Sequence, residues 1–505
     1  MRWEMARKRS SGSAAEMCSK ARARDILRRA CTFEAPNNRR QLVMLAKAEA
    51  PFVGRELSRG LNPLGGPMLF ALLLAFGHGV VTASVQVFNI FLEPIKTSLL
   101  LDDFRISLLQ GFAFGVFGAV IGLPAARVSD RGWRRNVAFT GTLLWSAGTA
   151  ACALSSNYWQ MFTGRAFVGI GEVFFLPAAI SLLTLIVPRR RLALAMGLFV
   201  SGSSFGSAAA WIGGGWLLTN WSDLTSASSG FRHIEAWRVG FAAYAVVGVL
   251  AGLMLLAVRE PASSVAMRSE PRAENSVLRE VLRGGGRSVI GVLTAVLAVG
   301  FGSVAVYMWL PTVFVRHFGL SYAAVGSILG ISFLVFCSIG AWGAGILADW
   351  LHKAGREDAP LIVLVAACAT CALSLFAIAL SDRLNVVSVV ALGGALASST
   401  MTGVVGPLAL TSVSPIQARS QALSWQNFLM YLIPVGLAPS AVAIANEYIF
   451  KNERMVAWSV ALIYAGSASI AAAILLWCRR DYIRRQREIL NLDDLCITAA
   501  QLNPL

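Results

Sequence analysis

Arg165 and Glu172 are two ionisable residues inside an apolar run that extends from Met161 to Val187. Keeping one charged residue at the centre of a bilayer costs about 2.5 to 3.5 kcal/mol on insertion scales, so such residues usually serve a function. A carboxyl group whose exposure alternates between the two sides of a membrane can carry a proton across it. Arginine keeps its charge under ordinary conditions, so Arg165 suits a fixed role, either beside the ionised Glu172 or against an anionic headgroup.

The spacing of these two residues predicts their geometry. They are seven residues apart, close to two turns of an α-helix, which places both on one face about 10 Å apart along the axis. Side chains lean toward the N-terminus of their helix, so Glu172 leans toward Arg165 while Arg165 leans away. A direct ion pair would be strained, and we expect each group to face a wet cavity and to have its own partner. The competing interpretation is a buried polar network that only orients this helix.

The segments that must position this pair are long and apolar. The chain has 505 residues, of which 56% are hydrophobic and 14% charged, whereas soluble proteins contain roughly a quarter charged residues. A helix needs about 20 apolar residues to cross the hydrocarbon core of a bilayer. The predicted fold class is therefore an all-α membrane protein with twelve transmembrane helices. The predicted spans are 67–92, 107–126, 136–154, 160–187, 192–218, 237–258, 288–315, 322–348, 360–380, 384–411, 420–445 and 455–478.

The basic residues are distributed unevenly along the chain. A net charge of +17 could indicate a nucleic-acid partner, but most of the 44 Lys and Arg residues fall in the tails and in alternate connections between spans. That asymmetry is the positive-inside pattern, and it predicts a multi-pass protein of the cytoplasmic membrane with both termini in the cytoplasm. The expected partners are membrane lipid, protons and a small-molecule or lipid-like substrate rather than nucleic acid.

The longest interior polar stretch, 259–287, divides the spans into two sets of six. We predict an N-terminal half at 67–258 and a C-terminal half at 288–478, joined by 259–287 as a cytoplasmic linker. The basic segment 1–66 is expected to be a disordered cytoplasmic tail. Residues 479–505 are expected to form a cytoplasmic C-terminal tail.

A similar loop follows the second span of each half. In the first half Gly122 precedes Asp130 and an arginine cluster, and in the second half Gly345 precedes Asp349 and Lys353. Internal repeats of this kind are typical of secondary transporters, whose substrate site lies between the repeats near the midplane. A carboxylate at such an interface can accept hydrogen bonds from arginine or from a helix N-terminus. The residues predicted to form this cytoplasmic gate are Asp130, Arg131, Arg134, Arg135, Asp349 and Lys353.

The pattern GxxxxRxxDRGxRR at 122–135, between spans two and three, resembles the major facilitator superfamily. Further segments are similar to its Spinster-like branch, namely Pro94-Ile95-Lys96, Gly164-Arg165 with Glu172, and Trp309-Leu-Pro311. The resemblance covers about residues 67–480. It implies two six-helix halves that alternate access, an aspartate at position 130 that latches them, and a proton-coupling and substrate site that includes Arg165 and Glu172.

One departure from the family affects proton coupling. Spinster-like carriers usually have an acidic residue in span one, and the matching position here lies near Ser84 and Gln86, where the acid is absent. Either coupling depends on Glu172 alone, or another group substitutes, or the chain is a facilitator. His78 is the titratable candidate in the same span, although a lone helical histidine is more often a satisfied polar residue.

The spans of the C-terminal half contain no formal charge in their middles. A cavity that is charged on one side and apolar on the other suits an amphiphile such as a lysolipid or sphingoid-like molecule, which is also the substrate type that the resemblance implies. One alternative is a carrier of small organic anions or drugs, with Arg165 pairing a carboxylate. Another is a receptor or scaffold that no longer transports. Residues that could line the cavity are Ser84, Gln86, Gln110, Tyr307, Trp309, Gln426, Asn427 and Tyr431.

Enzyme activity is not predicted, because the sequence has no nucleotide-binding loop, metal-ligand cluster or nucleophile–base pair in polar surroundings. No cofactor or metal is expected, and the chain is expected to act as a monomer. Cys368 and Cys371 form a CxxC in an apolar span, where small core residues are the favoured interpretation.

Overall fold

The computed structural model describes residues 66–130, 133–226, 233–256, 274–414 and 418–501. Within those residues, twelve helices are long and apolar enough to cross a membrane, which confirms the predicted all-α fold class. The helices of the N-terminal half are α1 (Pro67–Ser98), α2 (103–130), α3 (Arg134–Leu154), α4 (Tyr158–Ile186), α5 (Arg189–Ser226) and α6 (Ala236–Leu256). Those of the C-terminal half are α7 (Glu274–Arg316), α8 (Tyr322–Lys353), α9 (Ala359–Ala379), α10 (Val386–Ser412), α11 (419–450) and α12 (453–501).

Two segments between and after the predicted spans are helical where they are described. Helix α7 begins at Glu274, inside the predicted linker, and α12 continues to Gln501, through most of the predicted C-terminal tail. The predicted N-terminal tail lies outside the described residues up to position 65.

Several helices begin at polar residues that cap their first turn. The side chain of Asn157 accepts a hydrogen bond from the backbone N–H of Gln160 at the start of α4, and Asn385 caps α10 in the same way. These caps satisfy N–H groups that have no partner within the helix. They lie at the end of the bundle where α1, α3, α7 and α9 finish and α2, α4, α8 and α10 begin. The charge distribution predicts that this end faces outside, and we call it the outer end.

Helices α2 and α11 each contain wider, π-helical turns. Helix α2 has one at Leu108–Phe112, and α11 has them at Tyr431–Val435 and Ala445–Phe450. Pro434 lies inside the first π-turn of α11 and has no N–H to donate. Turns of this type are frequent at functional sites, and both helices contribute to the site described below.

Glycine allows the helices of the N-terminal half to pack closely. A Cβ on Gly202 or Gly206 of α5 would collide with the backbone of Ala75 or Gly79 of α1. The small residues of span five therefore bring two helix backbones together, as is common in membrane bundles.

The two halves meet along two helix pairs. In the first pair, Gly111 and Gly115 of α2 face the backbone of α11, where a Cβ on Gly115 would lie 2.6 Å from the carbonyl oxygen of Tyr431. In the second pair, Gly215 of α5 faces Tyr322 near the start of α8. At both places only a residue without a Cβ fits this close approach.

Candidate transport site

Arg165 is buried within the N-terminal half, with 1% of its surface exposed. Its Nε donates a hydrogen bond to the carbonyl oxygen of Leu109 at 3.2 Å, and its Nη2 donates to that of Gln110 at 3.4 Å. The guanidinium carbon lies 4.4 Å from the ring centre of Phe88 and 5.1 Å from that of Phe114. Arg165 thus interacts with the π-turn of α2 and with two aromatic faces. In this structure it does not face a wet cavity, which differs from the expectation drawn from its sequence.

The close approach of α2 and α4 explains how Arg165 reaches these carbonyl groups. Gly169 lies one turn further along α4, and a Cβ there would collide with the carbonyl of Phe114. With the backbones this close, the long arginine side chain spans from α4 to the π-turn. A buried guanidinium needs such partners, because an unpaired charge in a low-dielectric interior is very costly.

Glu172 is partly buried, and its carboxyl group interacts with the side chain of Tyr431 on α11. One carboxyl oxygen, Oε2, is buried and has no hydrogen-bond partner among the described residues. No ion pair joins Glu172 to Arg165 within the described part of the chain, and each has a separate partner. The ring of Tyr431 also lies 6.3 Å from that of Phe114 on α2. Glu172 therefore lies where α2, α4 and α11 meet, at the contact between the two halves.

A second polar chain crosses between the halves through side-chain amides. Asn89 donates to Oε1 of Gln86 at 2.7 Å, and Gln110 donates to Oδ1 of Asn89 at 2.9 Å. The same Gln110 amide donates to the carbonyl oxygen of Met308 on α7 at 2.7 Å. The structure thus brings Gln86 and Gln110 together, and the residue that joins them, Asn89, was missed from the sequence. Ser84 donates to the carbonyl oxygen of Val80 in its own helix.

His78 lies between α1 and α5 rather than beside Glu172. Its Nδ1 is 2.9 Å from the carbonyl oxygen of Phe199, and its ring stacks on that of Phe199 with centres 4.4 Å apart. His78 is thus hydrogen-bonded and packed, as expected for a structural histidine within a helix.

The remaining cavity candidates have mixed surroundings. Trp309 is fully buried and donates to the carbonyl oxygen of Pro439 at 3.1 Å, so it packs between α7 and α11. The hydroxyl groups of Tyr307 and Thr400 are 3.1 Å apart. Gln426 is buried, and its Oε1 has no hydrogen-bond partner in the part of the chain that the structure describes, whereas its neighbour Asn427 is exposed.

A cluster of ion pairs at the outer end was not predicted from the sequence. Asp103, at the start of α2, accepts hydrogen bonds of 2.7 and 2.8 Å from Arg316 at the end of α7. Arg316 also donates to Glu93 of α1 at 2.6 Å. Asp103 and Arg316 are 4% and 6% exposed, so this bidentate pair is largely withdrawn from solvent.

Two further donors, Lys96 and Asn446, extend this outer cluster to α12 and α11. Lys96 donates to Asp103 and to Glu453 at 2.6 Å each, and Asn446 donates to Asp103 at 2.9 Å. The carboxylate of Asp103 thus accepts bonds from both halves. In the sequence, Lys96 and Arg316 lie at the outer ends of two apolar spans, where a basic residue indicates topology and not a partner. The acids that end α1 and begin α2 beside them were the available signal.

The predicted gate at the opposite end is only partly described. The side chain of Asp130, and the whole of Arg131, lie outside the described residues. Arg134 and Arg135 are partly buried at the start of α3, while Asp349 and Lys353 of α8 are exposed. Among the described residues, no neighbour lies within 4 Å of a Cβ placed on Gly197 of α5 or on Gly343 or Gly345 of α8. Ion pairs therefore join the halves at the outer end, whereas these three glycines make no contact between the halves among the described residues.

No metal or thiol site is present among the described residues. They contain no group of three or more His, Cys, Asp or Glu residues that could hold a metal ion. Cys368 and Cys371 are free, buried thiols in α9, which agrees with their interpretation as core residues.

Comparison with known proteins gives concordant matches. Residues 74–439 match the family model of the Major Facilitator Superfamily. An MFS-type efflux pump of Mycolicibacterium smegmatis is 26% identical over 413 residues, which cover 79% of this chain and 90% of that protein. A gallate transporter of Pseudomonas putida is 25% identical over 329 residues, 62% of this chain and 71% of that protein.

Among solved structures, the fold is similar to a bacterial homologue of the human lysosomal transporter Spinster in an inward-facing, unoccupied conformation. The TM-score is 0.66 at 20% identity, and the match covers 84% of this chain and 98% of that chain.

Proposed function

The chain belongs to the major facilitator superfamily, and on that basis we propose that it is a proton-coupled secondary transporter of an amphiphilic organic solute. It is a multi-pass membrane transporter and not an enzyme. The likeness to Spinster-like carriers that its motifs indicate is matched at the level of the fold. Proton coupling and the solute go beyond the family and rest on the arguments that follow.

The observation that supports proton coupling is the contact between Glu172 and Tyr431. It brings a carboxyl group of the N-terminal half against a hydroxyl group of the C-terminal half, so separating the halves at this level would weaken the interaction. Binding a proton to Glu172 changes what its carboxyl group can accept or donate. When one group both binds the proton and contacts the other half, proton binding becomes linked to the separation of the halves. Coupled transport requires such a link.

The outer cluster is proposed to act as the outer gate. Asp103 and Arg316 form a nearly buried bidentate pair across the halves, and such charge-assisted pairs are strong and geometrically specific. An outward-open state would separate them and hydrate both charges. The cluster therefore stabilises the state seen here, in which Glu172 is shielded from the outer end.

A second gate at the opposite end completes the alternating cycle. In this proposal it closes when the outer cluster opens, on the cytoplasmic side of the cytoplasmic membrane, where both termini also lie. The exposure of Asp349 and Lys353 agrees with an open gate in the present state. The residues assigned to it are Asp130, Arg131, Arg134, Arg135, Asp349 and Lys353.

An amphiphile is the solute that the composition of the spans favours. Glu172 supplies charge on the N-terminal side, while the facing half presents aromatic and hydroxyl groups such as Tyr307, Phe333 and Thr400. The relatives named above include an efflux pump and a gallate transporter, which supports a carrier of drugs or small organic anions as the second candidate. Small organic anions are less favoured than drugs as the solute, because Arg165 already binds backbone carbonyl groups. A non-transporting receptor is less favoured still, since a gate that closes one end serves a moving carrier.

The test is solute uptake into proteoliposomes with an imposed pH gradient, comparing the wild type with Glu172→Gln. The matched control is Glu488→Gln, which removes a carboxylate from an exposed ion pair on α12. We expect the gradient to drive accumulation in the wild type and the control, and the Glu172 variant to equilibrate solute without responding to the gradient. Unchanged accumulation in the Glu172 variant would refute the coupling role.

A further inference from the structure

The carboxyl group of Glu172 has an unfilled position for a hydrogen-bond donor. One side interacts with Tyr431, while Oε2 is buried without a partner among the described residues. A buried acceptor without a donor is costly, more so when it carries charge. The position is therefore suited to a proton on the oxygen itself or to a donor group brought by the solute.

The guanidinium of Arg165 is the nearby charge that could neutralise Glu172, but it binds other groups. Arg165 directs its donors to the carbonyls of Leu109 and Gln110, and the rings of Phe88 and Phe114 cover its guanidinium. Arg165 has 1% of its surface exposed, so an incoming anion would have to displace these partners to reach it.

No other Asp, Glu, Lys or Arg lies in the middle of a described span. A solute that reaches this level thus meets Glu172 as the formally charged residue that is partly exposed, with Oε2 just beneath its surface. The aromatic ring of Tyr431 stands close to it, while the ring of Phe114, 6.3 Å from that of Tyr431, already covers Arg165. Ring faces attract cations, most strongly where water is excluded.

From this arrangement we infer that the solute is an organic cation, a protonated amine joined to an aromatic or aliphatic body, whose N–H group binds Oε2 of Glu172. The inference deepens the proposed function and rests on it. Amine and proton then compete for one carboxyl group, so binding the amine releases a proton. That competition makes the transporter an exchanger of protons for organic cations.

The test uses three soluble probes that share one body and differ in charge: 4-phenylbutylamine, 4-phenylbutanol and 4-phenylbutyrate. Their binding to the purified full-length protein in lipid nanodiscs is measured by titration calorimetry near neutral pH, in two buffers of different ionisation enthalpy that together report the protons released. We expect the amine to bind about tenfold to a hundredfold more tightly than the other two, as for a charge-assisted hydrogen bond. Glu172→Gln should abolish this preference and the proton release, whereas Glu488→Gln should keep both.

Three outcomes would overturn the inference: tighter binding of the butyrate than of the amine, equal binding of all three probes, or an amine preference that survives in the Glu172 variant. Its failure can be told from failure of the proposed function. If a pH gradient drives a neutral or anionic solute in a Glu172-dependent way, the proposed function stands and the cation inference falls. If the amine binds at Glu172 but no solute is transported, cation binding at Glu172 stands and the proposed transport function falls. A monodisperse Glu172→Gln sample with an unchanged melting temperature excludes misfolding as the cause of lost binding.

Discussion

Replacing Asp103 by Asn should open the outer end of the transporter. The carboxylate of Asp103 accepts two hydrogen bonds from Arg316, one from Lys96 and one from Asn446. Asparagine has nearly the same size but keeps one acceptor oxygen, and it turns an amide N–H group toward two cations. Breaking one partner of a buried ion pair costs about 3 to 5 kcal/mol.

The lower end of that range applies here, because both cations keep a second acid. Arg316 retains Glu93, and Lys96 retains Glu453. A loss of about 3 kcal/mol is more than a hundredfold change in an equilibrium. A state that holds ~99% of the molecules would then fall to roughly half of them.

The opening can be measured as a distance between spin labels on the two halves. Leu100 and Val386 are 87% and 78% exposed at the outer end, so the labels themselves do not enter the core; the same cysteine-free background is used for every variant. In the Asp103 variant we expect the distance distribution to gain a longer component of comparable weight.

The adjacent residue provides the control for this experiment. Asp102→Asn changes an exposed helix cap that contacts Arg105, and asparagine caps a helix as well as aspartate does. This control should keep the wild-type distance distribution. Identical distributions for the Asp103 and Asp102 variants would refute the gate assignment.

Three other substitutions test the contact between the halves and the buried arginine. Tyr431→Phe removes the hydroxyl partner of Glu172 but keeps the ring. The pH profile of proton-driven uptake should therefore change, while the melting temperature stays within a few degrees of the wild type. An unchanged pH profile would contradict the coupling role. Gly115→Val places a side chain where a single Cβ already comes within 2.6 Å of backbone. We therefore expect the free energy of unfolding to fall by about 1 to 3 kcal/mol, which lowers the melting temperature. The control, Gly343→Val, adds a side chain in open space and should have little effect. Arg165→Ala leaves two buried carbonyl groups without their donor, and we expect about 2 to 4 kcal/mol of destabilisation; a melting temperature equal to the wild type would show that those bonds contribute nothing.

The spans, and the presence of a carboxyl group inside one of them, could be predicted from the sequence because both signals are local. A hydrophobic run long enough to cross a bilayer is visible without knowing its neighbours. A carboxyl group inside such a run stands out because its insertion is costly. The same argument selected Arg165, but its surroundings were misjudged, since the carbonyls and rings that satisfy it belong to other helices. The π-turn at Leu108–Phe112 that presents those carbonyls has no clear sequence signature.

The outer cluster escaped prediction for a related physical reason. Its members lie at helix ends, where charge costs little and indicates topology. Asp103 and Arg316 are 213 positions apart in sequence, so only the packing of the two halves reveals them as a pair. Long-range polar contacts at the membrane boundary therefore require the structure, whereas charges deep in a span can be recognised without it.

Helix α2 connects the two regions that the proposed cycle must coordinate. Its first residue, Asp103, lies in the outer cluster, the carbonyls of its π-turn bind Arg165, and Gly115 packs on the backbone of Tyr431. These points lie within twelve residues, about 18 Å along a helix axis. A movement of α2 away from α11 would break the outer ion pairs and the support of Tyr431 together. Solute and proton exchange at Glu172 would then be tied to the outer gate through one rigid element, without a chain of side chains between them.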